Sequence, residues 1–265
     1  MNQDERRLYL IKALLSENSE YQIEIPQSIQ QQKLLLRALM NVRMPQKTSQ
    51  EFLDIQDDYL QEETRQKGIV EIHSLSPITH IQQKDIYLYK GDITTLACDA
   101  IVNAANSQML GCFVPNHHCI DNCIHTYAGI QLRHHCQKIM QHIDFEETGH
   151  AKITPAYNLP CQYILHTVGP IISHKLTQKD CELLASCYRS CLELANTYHL
   201  ESIAFCCIST GEFHFPHDKA AQIAIQTVQS FLQKETSIKK VIFNVFKEED
   251  EHIYRQLLSN QKLDS

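Results

Sequence analysis

Short runs of β-forming residues alternate with helix-length amphipathic segments from residue 69 to the end of the chain. Within the helical segments apolar residues recur every three or four positions, as Ala221, Ile225, Val228 and Leu232 do. This alternation predicts a layered α/β sheet whose ligands bind beyond the carboxyl ends of its strands. The predicted strands are 69–73, 86–89, 100–102, 163–165, 203–208 and 241–246, and the predicted helices are 121–141, 178–198, 218–234 and 250–260.

The amino-terminal part of the chain lacks this alternation and shows helical spacing instead. Leu8 and Ile11 begin one such pattern, and Pro26 and Pro45 separate the later ones. Two interpretations are open, a partner-docking arm or a structural buttress packed on the main domain, and we favour the second. The sequence is thus divided into a helical extension, 1–68, and a main domain, 69–265.

Composition narrows the class of ligand and the compartment. The net charge is -7, which gives no overall attraction to polyphosphate and argues against nucleic acid as the partner. A small phosphorylated ligand stays compatible, because backbone amides bind phosphate without net positive charge. The amino terminus is polar and has no signal-peptide pattern, so the 11 cysteines indicate reduced thiols in a cytoplasmic protein. No run of about 18 apolar residues occurs, so no membrane-spanning helix is predicted.

Polar motifs follow several of the predicted strands. Asn103 and Asn106 end the third strand, and a side-chain amide both donates and accepts, as the vicinal hydroxyls of a ribose require. Asp92 follows the second strand, where it either caps the next turn or binds a ligand. The tripeptide from Ser209 to Gly211 follows the fifth strand. Its small residues can form a concave anion site or a plain turn into the next helix.

A loop after the third strand carries soft metal ligands. Cys112, His117 and Cys119 supply two thiolates and one imidazole, a set that suits tetrahedral zinc with its fourth position open. His118 is chemically equivalent to His117, and residue chemistry alone does not choose between them. A redox-sensitive thiol cluster without metal is the alternative interpretation. The remaining histidines are given no chemistry, because most histidines belong to the core or the surface.

Together these motifs resemble the signature of a macrodomain, the fold that binds ADP-ribose, over residues 85–246. The loop at 111–119 replaces the usual run of glycines and resembles the zinc-containing branch of macrodomain hydrolases. That branch has a cysteine, then a proline, a variable residue, a histidine, a variable residue and a cysteine, an order that favours His117 over His118. The resemblance implies a three-layer α/β/α sandwich with a mixed central sheet, preceded here by the helical extension.

The resemblance also implies roles for individual residues. Asp92, with Ile93 beside it, accepts a hydrogen bond from the adenine amino group. Asn106 holds the distal ribose, which carries the scissile bond. Asp121 either orients the attacking water or only caps the next helix; bound zinc, which itself lowers the pKa of a water, competes with the first role. The residues implied to wrap the pyrophosphate and the distal ribose are Ser209, Thr210, Gly211, Glu212 and Phe213.

The sequence therefore predicts a zinc-dependent hydrolase that removes ADP-ribose from modified protein side chains, with Asn106 and Asp121 as catalytic residues. Resemblance to the zinc-containing branch implies mono-ADP-ribose on an Asp or Glu ester. It also implies a lipoyl-carrier protein as the target and a sirtuin-like transferase as the enzyme that modifies it. The alternative function is a module that binds ADP-ribose and cleaves nothing. Asp92 and the loop at 209–213 fit both functions and do not distinguish them. The thiolate-rich loop at 111–119 does, because an open metal position serves a hydrolase and not a binding module.

Overall fold

The structure, a computed structural model, describes residues 1–18, 20 and 22–260. Asn2 and Ser49 cap the first and third helices with side-chain oxygens that accept from free backbone amides. The apolar faces of the extension share one buried cluster, to which the main domain adds Ile130. The extension therefore packs directly against the main domain. Its helices are α1 (Gln3–Ser16), α2 (Ile29–Val42) and α3 (Gln50–Lys67).

The strands of the main domain form one mixed sheet and one small parallel pair. Those described are β1 (Val70–Glu71), β2 (Thr79–Ile81), β3 (Lys84–Lys90), β4 (Leu96–Ala97), β5 (Ala100–Ala105), β6 (Ala151–Pro155), β7 (Tyr163–Val168), β8 (Ser202–Phe205) and β9 (Lys240–Val245). β1 pairs with β4. The other seven follow the order β2-β3-β9-β8-β5-β7-β6. The five inner strands are parallel, and β2 and β6 are antiparallel at the edges. The predicted mixed sheet is confirmed.

Helices cover both faces of the sheet. They are α4 (Ile120–Ala128), α5 (Ile130–Ile139), α6 (Gln178–Thr197), α7 (His217–Leu232) and α8 (Glu248–Asn260). α7 packs between α6 and α8, while α4 packs on α5 and on α2 and α3 of the extension. The apolar residues of β5, β8 and β9 are buried between these layers. The result is the predicted α/β/α sandwich. Within the described residues, no helix has both the length and the apolar character that crossing a membrane requires.

The prediction of one helix at 121–141 is wrong, because Gly129 divides it into α4 and α5. Gly129 has φ of 98°, a conformation that side chains disfavour. A Cβ at this position would lie 2.7 Å from Nε2 of Gln56, a residue of α3. Gln56 reaches into the break, where its Oε1 accepts a hydrogen bond from the Ile130 amide at 2.9 Å. The interruption therefore lets the extension dock on the main domain.

The prediction of a strand at 69–73 is also wrong beyond its first residues. Val70 and Glu71 are extended, and Ile72 then enters a 3₁₀ turn that places its side chain in the core. The predicted strand at 203–208 ends at Phe205, since the chain leaves the sheet there to begin a loop. The sequence does not predict the edge strands β2 and β6, because both are short and mix polar with apolar residues.

Candidate active site

The carboxyl ends of the five parallel strands lie along one edge of the sheet, and residues predicted to bind a ligand follow three of them, β3, β5 and β8. β3 leads to Asp92, β5 ends just before Asn106, and β7 leads to Gly169. β8 leads to the loop at 206–215, and β9 ends one residue before Phe246. Ligands of open α/β sheets bind at this edge. The topology therefore gathers these motifs into one candidate site.

Asp121, on α4, faces the end of β5. The Asn103 amide donates to Oδ1 of Asp121 at 2.8 Å, and the Asn106 amide donates to Oδ2 at 3.2 Å. Asp121 is only 5% exposed. Burial raises the pKa of Asp121 to about 6, although the two amides and the nearby Arg133 favour the charged form. The carboxylate is therefore ionised near neutral pH and still able to accept a proton.

Asn106 is largely occupied by the protein itself. Its amide nitrogen donates to the Gly111 carbonyl at 3.1 Å as well as to Asp121. Its Oδ1 accepts from the Gln108 amide at 3.0 Å. What remains for a ligand is the second lone pair of that oxygen, which can accept from a hydroxyl.

A buried histidine fixes the orientation of Asn103, a role the sequence did not indicate. The second hydrogen of the Asn103 amide points to Nδ1 of His166 at 3.1 Å, and Nε2 of His166 lies 2.9 Å from Oγ1 of Thr154. Because an amide nitrogen only donates, Nδ1 accepts and Nε2 carries the proton. Burial lowers the pKa of His166 to about 3, so the ring is neutral. Asn103 is thereby held with its donors toward Asp121 and His166.

The predicted metal ligands converge in the loop at 111–119, here named the metal loop. Ligand atoms of Cys112, His117 and Cys119 all lie within 4.8 Å of one another. Sγ of Cys112 and Nδ1 of His117 are 3.6 Å apart, close to the roughly 3.5 Å expected between a thiolate and an imidazole on one tetrahedral zinc. His118 is exposed and lies outside the group formed by the described residues. In chemistry and spacing the three residues fit zinc.

Cys119 has a second role as the N-cap of α4. Its Sγ accepts from the Asn122 amide at 3.4 Å, so the interpretation of Asp121 as the cap of this helix is wrong. Burial raises the pKa of the Cys119 thiol to about 12. The hydrogen bond from the Asn122 backbone amide lowers this pKa, whereas the nearby Cys112 and Asp121 raise it further. A thiolate at this position therefore needs a neighbouring positive charge, which a metal ion supplies.

The metal loop meets the loop after β8 across the site, where Nε2 of His117 lies 3.6 Å from Oε1 of Glu212. Ser209 in that loop has φ of 66°, is buried, and its Oγ has no partner among the described residues. A Cβ at Gly169 would lie 2.0 Å from this Oγ, so only glycine leaves room for it. Within the described part of the chain, the amides of Gly211 and Glu212 donate to no protein acceptor. These groups can bind an anion.

Two further predicted residues hold the shape of this loop. Oγ1 of Thr210 donates to the Cys207 carbonyl at 3.1 Å. The carbonyl of the half-buried Phe213 accepts from the Ile172 amide at 2.9 Å, which joins the loop to the segment after β7.

At the other end of the edge, Asp92 is held by its own turn and by the extension. Oδ1 accepts from the amide and the hydroxyl of Thr94 at 2.9 and 2.6 Å, so Asp92 does cap the turn that follows it. Nζ of Lys67, the last residue of α3, donates to Oδ2 at 2.9 Å and lies 3.1 Å from the centre of the Tyr127 ring. Burial opposes ionisation of Asp92, but the bonds from Thr94 and Lys67 outweigh it and lower its pKa. Ile93 is 2% exposed, so only its backbone can meet a ligand.

Phe246 is a candidate binding residue that the sequence analysis missed. It directly follows β9, beside β3, where the Gly91 amide donates to the Val245 carbonyl at 3.0 Å. Its side chain is 81% exposed. An unpacked aromatic ring at a ligand-binding edge is suited to stack on a planar group. The signal available in the sequence was an aromatic residue at the end of an apolar strand.

A second group of soft ligands, His125, Cys136 and His166, lies in the core. Both ring nitrogens of His166 already have protein partners. Burial raises the pKa of the Cys136 thiol to about 12. This group therefore fits a metal much less well than the metal loop does.

The fold and the site together define a ligand-binding α/β/α sandwich with an anion-binding turn and a soft-ligand loop at the carboxyl edge of its sheet. Comparison with known proteins identifies the family to which such a sandwich belongs. The macro domain family matches residues 102–224. A "Protein-ADP-ribose hydrolase" from Treponema medium is 59% identical over 98% of this chain and 100% of its own length. This chain belongs to the macrodomain family.

Other relatives agree with that assignment. A Staphylococcus aureus protein, also named "Protein-ADP-ribose hydrolase", is 46% identical over 94% of this chain and 93% of its own length. A solved Trypanosoma brucei macrodomain in complex with ADP-ribose has a TM-score of 0.66 and 30% identity, covering 84% of this chain and 94% of that one. An Oceanobacillus iheyensis macrodomain variant with ADPR has a TM-score of 0.63 and 37% identity, covering 70% and 97%. The match to the Treponema relative covers nearly the whole chain, so it includes the extension.

Proposed function

We propose that this macrodomain is a protein-ADP-ribose hydrolase that works with zinc held by Cys112, His117 and Cys119. The observation that carries the proposal is the convergence of three soft ligand atoms within 4.8 Å of one another, in a loop that leads directly into α4 and Asp121. A non-catalytic reader gains nothing from a metal position left open beside its ligand. Zinc bound there would polarise an oxygen of the linkage or of a water molecule.

The remaining site residues orient ADP-ribose along the carboxyl edge of the sheet. In our proposal Asp92 accepts from the adenine amino group, the Ile93 backbone lies beside the ring and Phe246 stacks on its face. The free amides of Gly211 and Glu212, with the Ser209 hydroxyl, bind the pyrophosphate. This arrangement brings the distal ribose toward the metal loop.

At the distal ribose, Asn106 accepts from a hydroxyl through the free lone pair of Oδ1, and Phe213 packs on the sugar. Asp121 takes up the proton of the attacking water, because its buried carboxylate has a pKa of about 6 and is therefore charged but basic enough near neutral pH. Asn103 and Asn106 fix the two oxygens of that carboxylate without using all of their lone pairs.

We further propose that the substrate is mono-ADP-ribose on an Asp or Glu ester of a lipoyl-carrier protein, modified by a sirtuin-like transferase. The support is the likeness of the metal loop to the zinc-containing branch of macrodomain hydrolases. A cytoplasmic location agrees with the cysteines of the chain, all 11 of which are free thiols in this structure.

The test is release of ADP-ribose from a carrier protein modified on an acidic residue, measured with and without a zinc chelator. We expect release that stops on chelation and returns when zinc is added back. Release that persists in metal-free protein would refute the zinc proposal while leaving the hydrolase intact. Binding of ADP-ribose without any release would instead favour the reader function.

A further inference from the structure

The metal loop is held from outside by α2 of the extension. Nη2 of Arg37 donates to the carbonyl of His117 at 2.7 Å. Oδ1 of Asn41, one turn further along α2, accepts from the Asn116 amide at 3.0 Å. Asn116 has φ of 55°, a left-handed conformation that asparagine adopts more readily than most other residues. The backbone around the histidine ligand is therefore fixed by a helix about 80 positions earlier in the chain.

Arg37 also acts on the cysteine end of the loop through Asn122. Nη2 of Arg37 donates to Oδ1 of Asn122 at 3.0 Å, and Asn122 is completely buried. The side-chain nitrogen of Asn122, Nδ2, in turn donates to the carbonyls of Cys112 at 3.2 Å and Val114 at 3.0 Å. One guanidinium therefore restrains the backbone at two of the three ligands, directly at His117 and through Asn122 at Cys112.

Arg133 ties the end of α2 to the start of the same loop. Its Nη1 donates to the carbonyls of Met40, Asn41 and Arg43, and its Nε donates to the carbonyl of Leu110 at 2.7 Å. These carbonyls belong to the last turn of α2 and to the residue that caps it, so Arg133 holds the end of this helix next to the loop. The extension is thus linked to the start of the loop through Arg133 and contacts the loop directly around its histidine.

We propose that Arg37 and Asn41 are positioning residues for the metal loop, so that the extension forms part of the active site. The role assigned to the loop rests on the proposed zinc function. Three ligands on one loop bind a metal tightly only if the loop is already in the binding conformation, because ordering it on binding would cost conformational entropy. Removing the Arg37 contacts should therefore weaken zinc binding and lower kcat, while binding at the adenine and phosphate end stays intact.

The test compares Arg37→Met with Lys33→Met, a matched control on the same helix. Lys33 lies one turn before Arg37 and binds Glu63 of α3 at 2.7 Å, without touching the metal loop. We expect Arg37→Met to raise the zinc dissociation constant roughly 10- to 100-fold, the usual effect of removing a group that supports metal ligands. ADP binding should not change, and Arg37→Lys should recover part of the zinc affinity.

Amide hydrogen exchange of residues 111–119 in zinc-free protein is the second readout, and it does not depend on the metal. We expect this segment to exchange faster in Arg37→Met than in the wild-type protein, and to exchange at the wild-type rate in Lys33→Met. If Arg37→Met does not fold, Asn41→Ser, which loses the acceptor for the Asn116 amide, provides the same comparison. Exchange and zinc affinity equal to those of the control would overturn the proposal. Faster exchange in Arg37→Met, together with a wild-type protein that takes up no zinc, would keep the bracing role and reject the zinc function.

Discussion

Replacing Cys119 by serine or by alanine separates its two roles in the structure. Its Sγ belongs to the candidate ligand set and also caps α4 by accepting from the Asn122 amide. Serine keeps a cap acceptor but is a poor zinc ligand, whereas alanine provides neither. Loss of a helix cap costs about 0.5–2 kcal/mol, so in chelator we expect the alanine variant to be less stable than the serine variant by that amount.

Zinc binding should fall in both variants. Structural zinc sites with four protein ligands bind with about 10–16 kcal/mol, or about 2.5–4 kcal/mol per ligand, so loss of one of the three ligands here should lower the affinity roughly 10²- to 10³-fold. Urea unfolding in chelator measures the first effect, and chelator competition with elemental analysis measures the second. Cys181→Ser, on α6 and outside the candidate ligand group, is the control. A Cys119→Ser protein with wild-type zinc affinity and unchanged release of ADP-ribose would refute the ligand assignment.

Three further substitutions probe the rest of the site. Phe246→Ala should weaken ADP-ribose binding by about 1–3 kcal/mol through lost stacking, with little change in Tm. The control is Tyr198→Ala, which removes an exposed aromatic residue beyond the opposite edge of the sheet and should leave ADP-ribose binding unchanged. Equal affinities of the two variants by calorimetry would remove Phe246 from the adenine site. Asp121→Asn should lower kcat roughly 10²- to 10⁴-fold at unchanged zinc content, and an unchanged kcat would exclude Asp121 as the base. Gly169→Ala should displace Ser209, destabilising the protein by about 1–3 kcal/mol and weakening ADP binding, and wild-type affinity would show that the loop does not bind the pyrophosphate.

The parts of the fold that follow from local pattern were predictable. Runs such as 100–102 and 241–243 are buried on both faces, so they are continuously apolar and identify the central strands. The break at Gly129 was not predictable, because Ile124, Ala128 and Leu132 continue an apolar stripe straight across it. The side chain that fills the break, that of Gln56, lies more than 70 positions away in sequence.

The same distinction applies to the candidate site. The candidate metal ligands fall within one short segment, 112–119, and the loop at 209–213 is another, so the chemistry of each could be recognised from sequence. Lys67 beside Asp92 and Arg37 beside His117 have no local signal, because each pair joins the extension to the main domain. Phe246 carries a weak signal only, since an aromatic residue at a strand end is equally expected in the core.

The hydrogen bonds from α2 to the metal loop also affect the order in which parts of the chain fold. They join residues 75 positions apart at Asn41 and Asn116, and 80 apart at Arg37 and His117. Contacts of such separation form late, because closing the intervening chain costs entropy before any contact repays it. During synthesis α2 is therefore complete long before its partners emerge from the ribosome. Until it docks, the loop at 111–119 lacks the hydrogen bonds from Arg37 and Asn41 that hold its backbone, so the loop reaches its final conformation only after the extension has docked.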